Sequence, residues 1–214
     1  VTATIQDGDI FGIIGMSGAG KSTLLRCLCL LEQPTSGDIL LDGENLVRMN
    51  GARLRAARRR MGVVFQDFRL IPTMSVYENV AFAMRVTNIA EDKIKKRVPY
   101  VLGLVGLADK ADRLPDEISG GEQQRVALAR AFVIEPGVLL MDEPLSNLDA
   151  KLRVQMRTAI KKLQRRLGIT TIYVTHDQEE ALAISDRIIT LDHGVVASDT
   201  APAPMEDDEE VAAQ

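Results

Sequence analysis

A glycine-rich segment between two apolar segments is the first place where this sequence could do chemistry. This glycine loop reads GMSGAGKS (Gly15–Ser22) and lies between DIFGII and TLLRCLCLL. A turn rich in glycine lets several backbone N–H groups converge on one point, and the start of the following helix adds partial positive charge there. The arrangement suits a phosphate chain, with Lys21 reaching its outer phosphates and the Ser22 hydroxyl reaching Mg²⁺. We therefore expect phosphate chemistry at this loop.

Two adjacent carboxylates follow another apolar segment. Val138–Met141 runs directly into Asp142 and Glu143. A buried strand would bring both carboxylates to the C-terminal edge of a parallel sheet, beside the glycine loop, where α/β sheets bind their ligands. Asp142 then suits the Mg²⁺ shell, and Glu143 could polarise a water that attacks a γ-phosphate. The glycine loop alone is compatible with kinases, GTPases and ATPases. The adjacent carboxylates reduce the number of enzyme classes that fit the sequence.

A third segment combines a helix cap with two bare glycines. This serine–glycine segment reads ISGGEQQR (Ile118–Arg125) and precedes the helix-like sequence VALARAFVI. Ser119 can cap the helix, while Gly120 and Gly121 leave its N-terminus open to an anion. By itself the pattern describes an ordinary capped helix. In one chain with the glycine loop and the carboxylate pair, it is far more specific.

The elements that must position these residues alternate between strands and helices. Helices are predicted at Lys21–Leu31 and at Ala150–Leu167, the second of which stops at Gly168. Apolar segments flanked by turn or helix signals predict strands at Ile10–Ile14, Gly62–Phe65, Val138–Met141, Thr170–Thr175 and Arg187–Leu191. This alternation predicts an α/β fold of the P-loop NTPase type, with a mostly parallel sheet flanked by helices.

Two regions depart from the alternation. GDILLDGENL (Gly37–Leu46) predicts short strands around Asp42 and Gly43, which would form an antiparallel β annex. Residues 75–115 contain two helix-like segments with no strand between them, so we expect a small helical subdomain there. Pro99 falls within the second segment, and we expect a kink or a helix restart at that point because proline removes a backbone hydrogen bond.

Charge and composition restrict the function classes. The chain has 214 residues, 26 of them basic and 30 acidic, and a net charge of −4. Five of the acids lie in EDDEE (Glu206–Glu210), so the rest is nearly neutral and gives no electrostatic support for binding nucleic acid. Cys27 and Cys29 are two apart on a predicted helix, which disfavours a disulfide and favours a reducing cytosol. We expect residues 201–214 to be a disordered acidic tail.

Six motifs in a fixed order resemble the nucleotide-binding subunit of ABC (ATP-binding cassette) transporters. They are the glycine loop, Gln66 in VVFQDF, the serine–glycine segment, the strand VLLMDEP, SNLDA (Ser146–Ala150) and His176 in YVTHD. The resemblance extends over nearly all of residues 1–197. It implies one ATP-binding domain over residues 1–200, with the helical subdomain at about residues 75–115.

The resemblance assigns a first group of residues to the nucleotide that the same copy binds. Ser17 to Thr23 would wrap the triphosphate of ATP, and Lys21 would neutralise its β and γ groups. Ser22 and Gln66 would ligate Mg²⁺, with Asp142 supporting that shell. The nucleotide-binding residues in this group are Gly15, Met16, Ser17, Gly18, Ala19, Gly20, Lys21, Ser22, Thr23 and Gln66.

The resemblance also assigns the catalytic residues and a contribution from a second copy. Glu143 would act as the general base or orient the attacking water, and His176 would contact the γ-phosphate. Two copies pair head to tail in this family, so part of each site would come from the facing copy. The residues that would reach across to the other copy's ATP are Ser119, Gly120, Gly121 and Asp149.

The chain departs from the family pattern in two places. Family members carry an aromatic residue, shortly before the strand of the glycine loop, that stacks on adenine. Here no Tyr, Phe or Trp precedes Phe11, so we expect the first strand and its aromatic to be missing from this sequence. Phe11 itself lies inside the strand and is expected in the core. Glu122 stands where glutamine is commoner in the serine–glycine segment.

The resemblance implies an ATPase that powers a transporter. MDEPLSNLDAKLR and YVTHDQEEALAISDRI are similar to sugar, iron and osmolyte importers, which favours an importer, whereas other segments resemble methionine-type importers and the cell-division ATPase of the family. The expected partners are a second copy and integral membrane transporter subunits at the cytoplasmic face of the cell membrane, with no nucleic acid. The alternative is an ATPase that regulates a non-transporting membrane complex, such as the cell-division machinery.

Overall fold

A computed structural model of the chain describes residues 1–201, and its core is one twisted sheet flanked by helices. The strands are β1 (Ile10–Gly15), β2 (Leu40–Leu41), β3 (Glu44–Asn45), β4 (Met61–Val64), β5 (Val138–Asp142), β6 (Thr170–Val174), β7 (Arg187–Asp192) and β8 (Val195–Thr200). The α-helices are α1 (Lys21–Leu28), α2 (Gly51–Arg59), α3 (Val76–Val86), α4 (Glu91–Leu104), α5 (Gly120–Phe132), α6 (Ala150–Leu167) and α7 (Gln178–Ile184). Short 3₁₀ helices lie at Leu46–Arg48, Ala108–Lys110 and Pro115–Glu117.

The main sheet has the strand order β4-β5-β6-β1-β7-β8. Its first five members pair in parallel, and β8 pairs antiparallel with β7 at one edge. Strands β2 and β3 form a separate antiparallel pair in the region where the annex is predicted. The predicted fold class, a mostly parallel α/β sheet with an antiparallel annex, is confirmed. Strand β8 was not predicted, because its mostly exposed and polar residues lack an apolar pattern.

Both faces of the sheet are buried, which is why its strands read as continuous apolar segments. On β5, Leu139 and Met141 pack into one core cluster together with Leu128 of α5. Leu140 points to the other face and packs into a second cluster with Leu25 of α1. Each face is thus covered by a helix whose own N-terminus lies in one of the functional segments.

Two helices differ from their predicted courses. α1 ends at Leu28 instead of Leu31, because Leu30 has a left-handed φ of 52° that a helix cannot continue through. Arg58 fixes this end by donating to the carbonyl oxygens of Cys29 and Leu30, at 3.0 and 2.6 Å. α4 continues through Pro99, so the helix restart considered there is wrong.

The region of residues 75–115 contains α3 and α4 with no strand, as predicted. α3 begins with a capping box, in which the Ser75 hydroxyl accepts from the Glu78 amide and the Glu78 carboxylate accepts from the Ser75 amide. Its buried face, with Val80 and Met84, shares a core cluster with α5. The division into a separate subdomain remains a prediction, and the predicted acidic tail lies outside the described residues from residue 202 onward.

Within residues 1–201, no helix has the length and apolar character that crossing a membrane requires.

Gly62 in β4 is expected to tolerate no side chain. A Cβ atom there would lie 2.9 Å from the Ala131 carbonyl oxygen and 3.0 Å from a methyl group of Leu139. We predict that Gly62→Ala lowers the free energy of unfolding by about 1–3 kcal/mol, because the strand and α5 must separate. Urea unfolding followed by circular dichroism measures the change.

Gly103 provides the matched control. A Cβ atom at this helical position meets nothing within 4 Å, so Gly103→Ala is expected to be neutral or to stabilise α4 by up to about 1 kcal/mol. Equal losses of stability in both variants would contradict the packing argument for Gly62.

Candidate functional site

The glycine loop joins the end of β1 to the start of α1, and its glycines have specific steric causes. A Cβ atom on Gly15 would lie 2.3 Å from the Leu191 carbonyl oxygen of the neighbouring strand. Gly20 is in the left-handed region, with φ of 97°, and is the N-cap of α1 without a side chain to satisfy the first amides of the helix. Those amides therefore stay available to an anion.

The rest of the loop forms an open turn. Met16, Ser17 and Gly18 are exposed, and the Ala19 amide donates to the Met16 carbonyl oxygen at 3.1 Å. Thr23 is exposed on the first turn of α1.

The Lys21 ammonium group lies inside the loop. Its Nζ donates to the carbonyl oxygens of Gly15 and Met16, at 2.7 and 3.1 Å, and the residue is only 6% exposed. The two carbonyl oxygens stabilise the Lys21 ammonium charge, which burial has largely removed from water. A phosphate oxygen, which carries a full charge, is a stronger acceptor for the same ammonium group.

Ser22 and Asp142 form an oxygen pair at the base of the loop. The Ser22 hydroxyl, in the first turn of α1, donates to Asp142 Oδ1 at 3.0 Å across the space between α1 and β5. Burial raises the pKa of Asp142, and the hydrogen bond from Ser22 opposes part of that effect. Hydroxyl and carboxylate oxygens are the ligands that Mg²⁺ prefers, so the pair fits such an ion.

Glu143 is held in a rarely populated backbone conformation. Its φ is 48°, and its amide donates to the Val174 carbonyl oxygen of β6 at 2.9 Å. Its own carbonyl oxygen accepts from the Ser146 hydroxyl at 3.0 Å and from Gln124 Nε2 at 3.4 Å. Side chains from two other segments thus fix a left-handed residue, which is typical of functional positions.

The Glu143 carboxylate meets His176. Oε2 of Glu143 lies 3.2 Å from Nδ1 of His176, which follows β6, and the two side chains are 18% and 61% exposed. They line one polar cleft at the C-terminal edge of the sheet. The other residues that line this cleft are Ser146, Arg153, Thr175, Asp177 and Glu180.

Gln66 lies at the same edge of the sheet but is separate from this cluster. It follows the end of β4 by two residues, and the last residue of that strand, Val64, pairs with Met141. Its side chain is exposed and makes no hydrogen bond to Ser22 or Asp142 within the described chain. Its assignment as a metal ligand stays a prediction.

The residues assigned to the facing copy lie apart from the glycine loop. Ser119 caps α5, with its hydroxyl accepting from the Glu122 amide at 3.3 Å, and no hydrogen bond in residues 1–201 joins it to that loop. Gly120 is exposed, and a Cβ atom there would meet nothing within 4 Å. Asp149 is exposed and caps α6 by accepting from the Leu152 amide at 2.9 Å.

Gly121, at the start of α5, allows the serine–glycine segment to pack closely against the loop before α6. A Cβ atom there would lie 3.1 Å from Leu148 Cδ2, so the start of α5 packs closely against the loop before α6. The supporting contacts of Gln124 and Ser146 with Glu143 were not predicted from the sequence, although both residues lie within the quoted motifs. The Gln124 contact depends on how α5 packs on β5, whereas the Ser146 contact is local to the turn after β5.

Glu122 has a strongly perturbed carboxyl group. Lys110 Nζ donates to its Oε1 at 2.8 Å, and the Ser119 amide donates to its Oε2 at 2.8 Å. Together, the Lys110 contact first, they lower the pKa of Glu122 to about 2. The variant residue of the serine–glycine segment is thus a fixed anion that caps its own helix.

The fold and this site together define a nucleotide-binding domain of the P-loop class. The sequence profile described as ABC transporter matches residues 1–146. The chain belongs to the ABC transporter family.

Curated relatives of this chain are ATP-binding proteins of importers. It is 49% identical over 205 residues to a "Spermidine/putrescine import ATP-binding protein PotA" of Haemophilus influenzae, covering 96% of this chain and 54% of the relative. It is 48% identical over 205 residues to an "Fe(3+) ions import ATP-binding protein FbpC" of Agrobacterium fabrum, covering 96% and 57%. The chain thus spans about half the length of these relatives.

Solved structures of ATP-binding cassettes are also similar to it. One is the dimeric structure of a post-hydrolysis state of the cassette MJ0796 bound to ADP and Pi. It superimposes with a TM-score of 0.88 at 34% identity, covering 95% of this chain and 89% of that one.

The Glu122 contacts predict a pH dependence of stability. Because folding lowers the pKa of Glu122 from 4.5 to about 2, its stabilising contribution is present above pH 4.5 and is lost as the pH falls towards 2. Glu122→Gln removes this contribution, so its free energy of unfolding should fall less than the parent's over that interval. Urea unfolding at a series of pH values measures the slope.

Glu78→Gln serves as the control for this experiment. Glu78 is the matching carboxylate of the capping box on α3, but within residues 1–201 it forms no ion pair like that between Lys110 and Glu122. The variant therefore reports the effect of altering a capping box alone. A Glu122→Gln variant with the parent's full pH dependence would contradict the assignment of the ion pair.

Proposed function

We propose that this chain is the ATP-binding and ATP-hydrolysing subunit of an ABC importer. The observation that carries the proposal is the cluster at the C-terminal edge of the sheet, where Lys21, the Ser22–Asp142 pair and Glu143 converge beside an uncapped helix start. This arrangement has the parts that phosphoryl transfer to water needs, which are a phosphate cradle, oxygen ligands and a base.

The chain's own groups would act in order along the triphosphate. Lys21 would exchange its two carbonyl acceptors for the β and γ phosphate oxygens, while the free amides at the start of α1 bind the same anion. Glu143 would accept a hydrogen bond from the attacking water, aligning it with the γ-phosphate. His176, whose Nδ1 lies 3.2 Å from the Glu143 carboxylate, would hold that carboxylate and contact the γ-phosphate.

Ser22, Asp142 and Gln66 would hold Mg²⁺. The ion, when bound, neutralises charge that develops on the phosphate oxygens. The structure supports the first two residues as ligands through their 3.0 Å contact and through the burial of Asp142, whose charge a cation would stabilise. Gln66 would have to turn inward from its exposed position to complete this set.

Two copies would form the working unit, head to tail. Ser119, Gly120 and Asp149 are exposed and make no hydrogen bond to the glycine loop within residues 1–201, which supports a role toward another molecule. The similar cassette structure is described as dimeric. The amides of Gly120 and Gly121, in the first turn of α5, would then bind the γ-phosphate of the ATP held by the facing glycine loop.

An importer is favoured over the cell-division alternative because the relatives are import ATP-binding proteins for spermidine/putrescine and for Fe(3+) ions. We place the chain at the cytoplasmic face of the cell membrane, where integral membrane subunits would carry the substrate.

Replacing the proposed base tests the catalytic assignment. Glu143→Gln keeps the size and the backbone contacts of the residue but cannot accept a proton. We expect ATP turnover to fall about a hundredfold or more, with ATP binding retained and an ATP-bound dimer accumulating. Phosphate release and size-exclusion chromatography with MgATP measure both effects; turnover at the parent rate would refute the role of Glu143.

A charge at the start of α5 tests the dimer. Gly120→Glu places a carboxylate in open space on the isolated chain, but it would repel the triphosphate held by the facing copy. We expect turnover at high protein concentration to fall about a hundredfold, with nucleotide binding to the single chain unchanged.

Gly103→Glu is the matched control, since it adds the same charge at another glycine with open space, on α4. It should leave turnover at the parent level. If Gly120→Glu turned over ATP as fast as Gly103→Glu, the head-to-tail site would be contradicted.

A further inference from the structure

The segment after β4 that carries Gln66 contains an unusual backbone turn. Phe68 and Arg69 both have positive φ, at 55° and 48°. Residues with bulky side chains enter this left-handed region at a cost of about 1–2 kcal/mol each. Two in succession persist only where the surroundings fix them, and such positions cluster at functional sites.

Arg130, on α5, binds this turn through two hydrogen bonds. Nη1 of Arg130 donates to the Arg69 carbonyl oxygen, and Nη2 donates to the Phe68 carbonyl oxygen, both at 2.6 Å. The planar guanidinium fork thus binds the carbonyl groups of both left-handed residues at once. A lysine ammonium group lacks this fixed planar geometry, because its donors rotate about a single point charge.

The charged group that acts on Arg130 is Asp67, which belongs to the turn itself. Within residues 1–201 Arg130 takes part in no ion pair, and burial lowers the pKa of its guanidinium. Its lost hydration is replaced by the two carbonyl dipoles of the turn. The two hydrogen bonds to the turn are therefore the interactions that hold the Arg130 side chain in this position.

The other polar contacts of the turn are local, while the Phe68 side chain packs against the main core cluster. The Arg69 guanidinium stacks 3.9 Å from the centre of the Phe65 ring and pairs with Asp67 at 3.1 Å. The Phe68 amide donates to the Phe65 carbonyl oxygen at 3.1 Å. These contacts close the turn on itself around Gln66, whereas Arg130 ties it to another element.

We infer that Arg130 is a positioning residue that fixes the Gln66 turn to α5, the helix that begins at Ser119. The inference rests on the proposed function and deepens it. A displacement of α5 when Ser119 meets the facing nucleotide would be transmitted to Gln66 through one rigid guanidinium.

The test replaces Arg130 with Lys and with Met and measures three quantities. These are the Mg²⁺ concentration for half-maximal ATP turnover, the nucleotide affinity without Mg²⁺, and the midpoint of thermal unfolding. We expect Arg130→Met to raise the half-saturating Mg²⁺ concentration about tenfold, with Arg130→Lys intermediate, because a supporting contact of a metal ligand is lost. Nucleotide affinity without Mg²⁺ should stay within about twofold of the parent's, since the glycine loop is untouched.

Arg97 is the matched control. Its Nε donates to the Val133 carbonyl oxygen at 2.7 Å, and it also pairs with Glu135, so it anchors the far end of α5 without touching the Gln66 turn. Arg97→Lys and Arg97→Met should lower thermal stability without moving the Mg²⁺ dependence. If the Arg130 variants behave in the same way, Arg130 is only a structural anchor and the inference is overturned.

A double-mutant cycle with Gln66→Ala tests the route of the effect. If Arg130 acts through Gln66, Arg130→Lys should cause no further change in the Mg²⁺ dependence of the Gln66→Ala protein. Fully additive effects overturn the inference, and the Lys variant keeps the test open if the Met variant fails to fold. A parent protein that neither binds nor hydrolyses ATP would instead refute the proposed function, and this inference with it.

Discussion

The structure depends on the parallel register of β5 between its two neighbours. Val64 at the end of β4 pairs with Met141, and Asp142 pairs with Val174 at the end of β6. Because the strands are parallel, all of them end at one edge, and whatever residue follows each strand is delivered to the same place. Glu143 continues this pattern by donating its amide to the Val174 carbonyl oxygen one step beyond the ladder. A slip of one residue would turn Asp142 to the opposite face of the sheet.

Unusual backbone conformations at the C-terminal edge of the sheet orient the functional groups. The glycine loop needs Gly15 because the neighbouring strand leaves no room for a Cβ atom, whereas Glu143 is left-handed despite its side chain. The hydrogen bonds from Ser146 and Gln124 to the Glu143 carbonyl oxygen offset that cost and keep the carboxylate next to His176. Rigidity of this kind holds the Glu143 carboxylate in position before substrate binds.

Helix α5 connects the separate parts of the site. Its first turn packs Gly121 against Leu148, its middle donates from Gln124 to Glu143, and its end holds the Gln66 turn through Arg130. One helix therefore contacts the residue that carries the proposed base, the loop before α6 and the turn that follows Gln66.

The sequence by itself determined the five parallel strands to within one residue at each end, the full course of α6 and the candidate residues. It could do so because buried parallel strands require continuous apolar segments and phosphate cradles require glycine at fixed spacing. It missed β8, whose exposed edge needs no apolar pattern, and it extended α1 past Leu28 because the Arg58 contact that stops the helix comes from a distant segment. Only the tertiary structure decided that Ser22 meets Asp142, that Glu143 meets His176 and that Arg130 grips the turn after Gln66. These contacts join residues far apart in the chain, and their distances depend on how whole elements pack, which local sequence does not encode.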